Sequence, residues 1–252
     1  MHASPQNIQT SDKNSAKKPQ GSLYLIPVDL GSENTNDVLP SGNFEKIEGL
    51  DEFIVENVRS ARRFLRTAGY NKNFDEVTFH VLNKHTTDEE IPGFLANAEM
   101  GRDLGLLSEA GTPCIADPGQ VVVKYAHEKG IQVRPLVGPS SILLALMASG
   151  FNGQNFVFHG YLPIERKQRM QKIREMELDI YRKEQTQIFM ETPYRNSPLL
   201  EDLLKTCSNE TMLCIASNIT CNNEFILTRS IAHWKNQVPN LDKQPTVFLL
   251  YK

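Results

Sequence analysis

Leu104-Gly-Leu-Leu-Ser-Glu-Ala-Gly-Thr-Pro-Cys-Ile-Ala-Asp-Pro-Gly119 is the stretch from which the fold can be read. Leu104–Leu107 is a short apolar run, long enough for a buried strand and too short for a helix. It breaks into a small-residue turn at Ser108–Pro113 and a second turn at Asp117-Pro118-Gly119. Val121, Val122, Tyr125 and Ala126 then follow at helical spacing. A strand that ends in Gly and Pro ahead of a helix sets backbone N–H groups in the crevice at its carboxyl end. Open α/β sheets bind ligands in that crevice. Gly111 lets the chain approach a ligand with no side chain in the way. An ordinary strand-to-helix turn fits the same residues, and the stretch by itself leaves both readings open.

Upstream, Ser22–Val28 is an apolar run bounded by turn residues, so a buried strand. Asp29–Ser41 is polar and loop-like. A short segment around Phe44–Leu50 and a strand at Glu52–Val55 precede the clearest helix, Asn57–Ala68. That helix carries an apolar face (Val58, Ala61, Phe64, Leu65, Ala68) and, opposite it, Arg59, Arg62, Arg63 and Arg66 in one basic stripe. The stripe fits a solvated helix face. With no acid at i+3 or i+4 to offset the repulsion, it also fits an anionic partner. Glu76–Leu82 alternates as a strand, and Thr87–Glu99 reads as a helix despite Pro92-Gly93. Downstream, helix Gln120–Lys129 is closed by Gly130, and Ile131–Arg134 is a strand. Strands separated by helices predict a mostly parallel sheet.

At Pro135-Leu-Val-Gly-Pro-Ser-Ser141 the chain changes character, and Ser140 or Ser141 can cap a helix over Ile142–Ser149. The domain boundary falls here: a flexible tail over 1–21, an N-terminal α/β domain over 22–136 and a C-terminal α/β domain over 137–252. The second half reads as strand Phe156–His159, a charged helix from Glu165 to about Lys183, and strand Thr186–Met190. A helix beginning at Ser197-Pro198 follows, then strands Met212–Ala216, Glu224–Leu227 and Thr246–Tyr251. With little helix between these last strands, this sheet is expected to be mixed.

Bulk properties narrow the function. Net charge is −3, so any nucleic-acid contact must come from local basic patches rather than the whole surface. Four cysteines suggest no disulfide framework. Cys207, Cys214 and Cys221 recur every seven residues, but no C-x-x-C pair or nearby histidine supports a metal site. Met1–Gly21 lacks the apolar core of a signal peptide, and no apolar run approaches the roughly 20 residues that cross a bilayer. The expected compartment is the cytoplasm.

Ser108–Gly119 resembles the Ser-Asp-Ala-Gly-Thr-Pro…Asp-Pro-Gly signature of the tetrapyrrole methylase superfamily. Within it, the resemblance is to the small-subunit ribosomal RNA 2′-O-ribose methyltransferase I branch. Three further stretches agree in order. Pro135–Ser141 resembles that branch's Pro-Leu-Pro-Gly-Pro-Ser hinge, Phe158–Pro163 its Gly-Phe-Leu-Pro, and Glu191-Thr-Pro-Tyr-Arg195 its Glu-Ser-Pro-His-Arg. The resemblance spans about Leu23 to Leu250.

It implies two α/β domains, a mostly parallel N-terminal sheet and a mixed C-terminal one, with S-adenosylmethionine in the cleft between them, and usually a homodimer. Carried over, Ala110, Gly111, Thr112, Pro113, Ile115 and Ala116, with Pro27 beside them, line the methionine and ribose side. Ser141 and Ile142 touch the cofactor from the hinge. Met190 and Ala216 hold the adenine, with Pro245 near by. The implied partner is ribosomal RNA or the small ribosomal subunit, with Arg59, Arg62, Arg63, Arg166 and Arg195 on its phosphates and Lys167 and Arg169 near Arg166. Methyl transfer to a ribose hydroxyl needs in-line alignment and a proton acceptor. Glu109 and Glu191 are the expected catalytic groups, with Glu56 a third candidate. Glu109 could equally fix its own turn through backbone N–H groups.

Departures bear on the acceptor. The family's Ala-Thr-Pro-Ile-Gly-Asn-Leu loop is here Ile26-Pro-Val-Asp-Leu-Gly31, its Glu-Asp-Thr-Arg is Glu56-Asn-Val-Arg59, and its Ile-Thr-Lys is Ile219-Thr-Cys221. These leave open a methyltransferase of another acceptor, tetrapyrrole or otherwise, and a cofactor-binding protein without activity.

Overall fold

A computed structural model describes residues 20–252. The expected tail falls almost wholly outside the described residues. Five strands form the first sheet: β1 (Ser22–Ile26), β2 (Glu52–Val55), β3 (Thr78–Val81), β4 (Leu104–Leu107) and β5 (Gln132–Pro135). Their order is β3-β2-β4-β1-β5, and every neighbouring pair is parallel. β4 therefore sits at the centre, buried along its whole length, and its carboxyl end opens between neighbours. Gly105 is required there, because a Cβ would meet Ile26 Cδ1 at 2.6 Å and Phe53 Cδ1 at 2.9 Å.

Helices cover both faces of this sheet, as parallel strands demand. On one face α1 (Ser41–Glu48) and α2 (Val58–Thr67) place Ile47, Ala61, Phe64 and Leu65 against Ile26 and Phe53. On the other lie α3 (Ile91–Phe94), α4 (Ala96–Glu99) and α5 (Gln120–Lys129). The single helix expected over Thr87–Glu99 is instead the two short pieces α3 and α4. Pro92 cannot donate to an earlier turn and Gly93 disfavours helix, so the segment starts late and breaks at Leu95.

Residues 136–140 carry the chain into a second sheet of β6 (Phe156–Tyr161), β7 (Thr186–Glu191), β8 (Met212–Ser217), β9 (Phe225–Ser230) and β10 (Thr246–Tyr251). Its order is β6-β7-β10-β8-β9; β6 and β7 are parallel and the other pairs antiparallel, so the sheet is mixed. α6 (Ser141–Ser149) packs Ile142, Ala145 and Leu146 on the face of Val247 and Leu249. α7 (Arg166–Lys183), α8 (Asn196–Thr206) and α9 (Ile231–Asn236) cover the face of Phe248 and Leu250. The alternation along β10 thus divides two cores. Helix α9 was not expected. Ser230 caps it, and Trp234 is buried with its indole N–H donating to the Leu213 carbonyl. Nor does α8 begin at Pro198. A 3₁₀ turn, Pro193–Arg195, leads into Asn196, leaving Pro198 in the first turn, where no intrahelical donor is lost.

Candidate active site

A cleft of about 400 Å³ lies where the two sheets meet, within the size range of small-molecule sites, about 300–1,000 Å³. One wall is the loop after β4 together with Leu30 and Glu56. The hinge end of α6 closes the cleft with Ser140, Ser141 and Ile142. The far wall comes from the carboxyl ends of β6, β7 and β8 and the start of β10: Tyr161, Met190, Glu191, Ala216, Ile219 and Val247.

The loop after β4 holds its shape by a closed set of bonds. Ser108 Oγ donates to the Gly111 carbonyl at 2.6 Å. Gly111 exchanges backbone hydrogen bonds with Val28, 2.9 and 3.1 Å, so the end of β1 and this loop are tied together. Both Asp117 carboxylate oxygens accept from Cys114 N–H, at 2.9 and 2.8 Å, and one accepts from Gly119 N–H at 2.8 Å. Gly111, Cys114 and Ala116 all have φ between +62° and +70°. Left-handed backbone at two residues other than glycine is costly, and such conformations gather where a ligand is held. The turn-fixing role expected of Glu109 belongs to Asp117. Glu109 reaches sideways instead, its two oxygens accepting from Ser60 Oγ on α2 at 2.7 and 2.9 Å.

Of the residues expected to hold the cofactor, Ala110, Gly111, Thr112, Ile115, Ala116, Ser141, Ile142, Met190, Ala216 and Pro245 line this cleft, as do Glu109 and Glu191. Pro27 and Pro113 do not. Both are buried behind it, Pro27 so tightly against the hinge that a Cβ on Gly138 would come within 2.4 Å of its ring. Sequence reasoning missed Leu30, Ser108, Tyr161, Ile219 and Val247, and it named Asp117 only as part of a turn. Asp-Pro-Gly was a signal for that role; the apolar residues carried none apart from hydrophobicity.

None of the five arginines expected on RNA lines the cleft. Arg195 is ion-paired to Glu191, 2.5 Å, which also takes the Thr192 N–H at 2.6 Å. Glu191 is buried, with Oε2 lacking a hydrogen-bond partner. Arg166 and Arg169 share the buried carboxylate of Asp202, at 2.8 and 2.6 Å, and Arg169 also donates to the Pro163 and Ile164 carbonyls. Arg169 thus holds the segment after β6 from inside, while the Arg166 side chain stays more than half exposed. On α2, Arg62 lies over the Phe74 and Phe79 rings and Arg66 over Phe74, while Arg59 and Arg63 are exposed and have no ion-pair partner among the described residues.

The cleft suits an adenine nucleoside that carries an amino-acid chain. Met190, Ala216, Ile219 and Val247 offer an apolar slot, which a neutral purine needs. The Gly111 surface is a cradle that a side chain would fill. Ser140 makes no capping bond to α6, so its hydroxyl is open to a polar ligand. Glu56, Glu109 and Asp117 gather negative charge in one part of the cleft, which would favour a sulfonium cation. When bound, such a sulfonium would supply a methyl group activated toward a nucleophile. No group of His, Cys, Asp and Glu among the described residues could hold a metal ion, and no described helix is long and apolar enough to cross a membrane.

Comparison with known proteins agrees with this geometry. The family described as Tetrapyrrole (Corrin/Porphyrin) Methylases matches residues 47–234. Ribosomal RNA small subunit methyltransferase I of Escherichia coli O157:H7 is 30% identical over 212 residues, 84% of this chain and 70% of that protein. Its namesake from Vibrio cholerae is 30% identical over 232 residues, 91% and 76%. Among solved structures, the methyltransferase CobJ superposes with a TM-score of 0.62 at 17% identity, covering 92% of this chain and 94% of that one. The cobalt precorrin-4 methyltransferase CbiF gives 0.57 at 12%, covering 91% and 94%. The matched family model and the relatives that cover most of the chain lead to one conclusion: the chain belongs to the tetrapyrrole methylase family and is an S-adenosylmethionine-dependent methyltransferase.

Proposed function

We propose that this protein methylates a ribose 2′-hydroxyl of small-subunit ribosomal RNA, in the cytoplasm and as a homodimer, with residues 22–136 and 137–252 as its two domains. The observation that carries the reading is the sequence relationship to methyltransferase I proteins over most of the chain. The residues lining the cleft hold the nucleoside as described. Leu143 and Met147 on the outer side of α6, with Val137 before it, form an exposed apolar face that suits a second copy. Arg59 and Arg63, in the turns of α2 that follow Glu56, are cations free to meet phosphate; Arg62 contributes from its aromatic seat, Arg166 is more than half exposed beside Asp202, and Arg195 is held by Glu191.

The enzyme's task is alignment: acceptor oxygen, methyl carbon and sulfur in line, with water kept out. The test is transfer of a labelled methyl group from S-adenosylmethionine to small ribosomal subunits from a strain lacking the protein, with calorimetry for the nucleoside and light scattering for the dimer. Labelled subunits support the reading. Binding without labelling refutes it and favours a second reading, a small acceptor without phosphates, for which the crowd of carboxylates at Glu56, Glu109 and Asp117 speaks.

A further inference from the structure

Four carboxylates line the cleft, and three already accept hydrogen bonds, Glu191 through Oε1 alone. Glu109 accepts from Ser60, Asp117 from the Cys114 and Gly119 N–H groups, and Glu191 from Thr192 N–H and Arg195. Glu56 also lines the cleft, half-buried, and no hydrogen bond or ion pair engages it among the described residues. Its backbone is held from both sides. It follows directly on β2, paired to β3 and β4, and precedes Asn57, whose side chain caps α2 by accepting from the Arg59 and Ser60 N–H groups. A carboxylate on so fixed a stem, facing a ligand cleft with its oxygens unclaimed, is preorganised to receive a proton.

We propose that Glu56 is the catalytic base of this site, taking the proton of the acceptor hydroxyl as the methyl group is transferred. This rests on the reading of a ribose hydroxyl as acceptor. The acceptor oxygen bonds to the methyl carbon, the carbon–sulfur bond breaks with its electron pair on sulfur, and the hydroxyl proton passes to Glu56. Solvent takes it from there once the products leave.

The surroundings suit that task. Burial raises the carboxyl above its usual range, and the charges of Asp117 and Glu109 raise it further, both from the loop after β4. Glu56 also borders a small cavity together with Leu82, Leu107, Pro118 and Gly119, and no cation is among the groups acting on it. Raised basicity brings a carboxylate nearer to the hydroxyl it must deprotonate while leaving it ionised above its own titration.

The experiment uses small ribosomal subunits from a strain lacking the protein and S-adenosylmethionine with a labelled methyl group. Glu56→Gln is expected to lower kcat about 100-fold or more, with calorimetric affinity for S-adenosylmethionine unchanged, and Glu56→Asp to restore part of the rate. Wild-type kcat should rise with pH through a midpoint above the ordinary carboxylate range. Glu109→Gln should move that midpoint down by removing a like charge. A Glu56→Gln protein that binds the nucleoside and transfers at the wild-type rate overturns the proposal. So does a midpoint at the ordinary value, unmoved by Glu109→Gln, and this arm decides even if Glu56→Gln does not fold. Wild-type protein that binds the nucleoside and leaves the subunits unlabelled overturns the RNA reading, and the assignment of Glu56 with it.

Discussion

Gly111 and Pro139 approach so closely that a Cβ on Gly111 would lie 3.1 Å from the Pro139 carbonyl oxygen and 3.0 Å from Leu30 Cδ2. The loop after β4 and the hinge before α6 therefore meet backbone to backbone, and the cleft is built around that meeting point. Gly111 also has φ +70°. Gly111→Ala should cost about 1–2 kcal/mol of stability from the left-handed backbone alone. It should also weaken S-adenosylmethionine binding, since the hinge must retreat. Denaturant unfolding and calorimetry measure the two. Wild-type affinity in the variant would show that the close approach does not shape the cleft.

Asp117 holds Cys114 and Ala116 in their unfavourable conformations through its bonds to the Cys114 and Gly119 N–H groups. Asp117→Ala leaves those donors without partners, at about 1–3 kcal/mol, and frees the loop. Nucleoside affinity should fall and the loop's amide protons should exchange faster. Unaltered exchange at Cys114 would count against this role.

Asp202 is 1% exposed and gives one oxygen to Arg166 and the other to the buried Arg169. Asp202→Ala strands a buried guanidinium, so the expected loss is about 3–5 kcal/mol. Arg166→Ala, whose side chain is more than half exposed, should be far milder. Equal losses in urea unfolding would contradict the assignment of Arg169 as the buried member.

Arg59 and Arg63 are the free cations of α2. If RNA is the substrate, replacing both by Ala should weaken binding of small subunits and flatten its salt dependence, the slope falling by about 1 for each phosphate no longer neutralised. Affinity for S-adenosylmethionine should not change. Arg62→Ala should cost stability as well, because Phe74 and Phe79 lose the guanidinium that covers them. An unchanged salt slope in the double variant removes α2 from the RNA surface.

Glu52, the first residue of β2, is buried and bonded to His80 Nε2 at 2.6 Å and to Asn97 at 2.9 Å. Burial alone would raise its carboxyl, but those bonds, with the charges of His80 and Arg102, outweigh burial and hold it below the ordinary 4.5. A lowered folded-state value means stability present above about pH 4.5 and lost as pH falls through the lower value. Unfolding of wild type and Glu52→Gln compared between pH 7 and 3 should show their difference shrinking on acidification. A constant difference would show that the carboxyl does not titrate in this way.

The sequence alone determined the local and the repeated features. The run Leu104–Leu107, the apolar face of α2 and the Gly130 end of α5 are set by period and turn chemistry within a few residues, and each lies where the sequence puts it. The parallel and mixed sheets followed from the spacing of helices between strands, and the family from motifs that are contiguous in the chain. Tertiary structure decided everything that depends on pairing across the chain. Which arginines are free turned on such pairings. Asp202 stands 36 positions from Arg166, and Phe74 lies beyond the end of the helix that carries Arg62, so no helix rule flags either pair. Glu191 is four positions from Arg195, but the two meet across a strand end and a 3₁₀ turn rather than along one helix. The altered first loop and the altered Ile219–Cys221 segment read as separate departures, yet Cys221 Sγ lies 3.8 Å from the Leu30 carbonyl oxygen, so they meet in the fold. And Glu56 stands apart from Glu109, Glu191 and Asp117 only because those three carboxylates find donors in the folded chain. A side chain's charge is written in the sequence; whether it is already spent is a matter of distance.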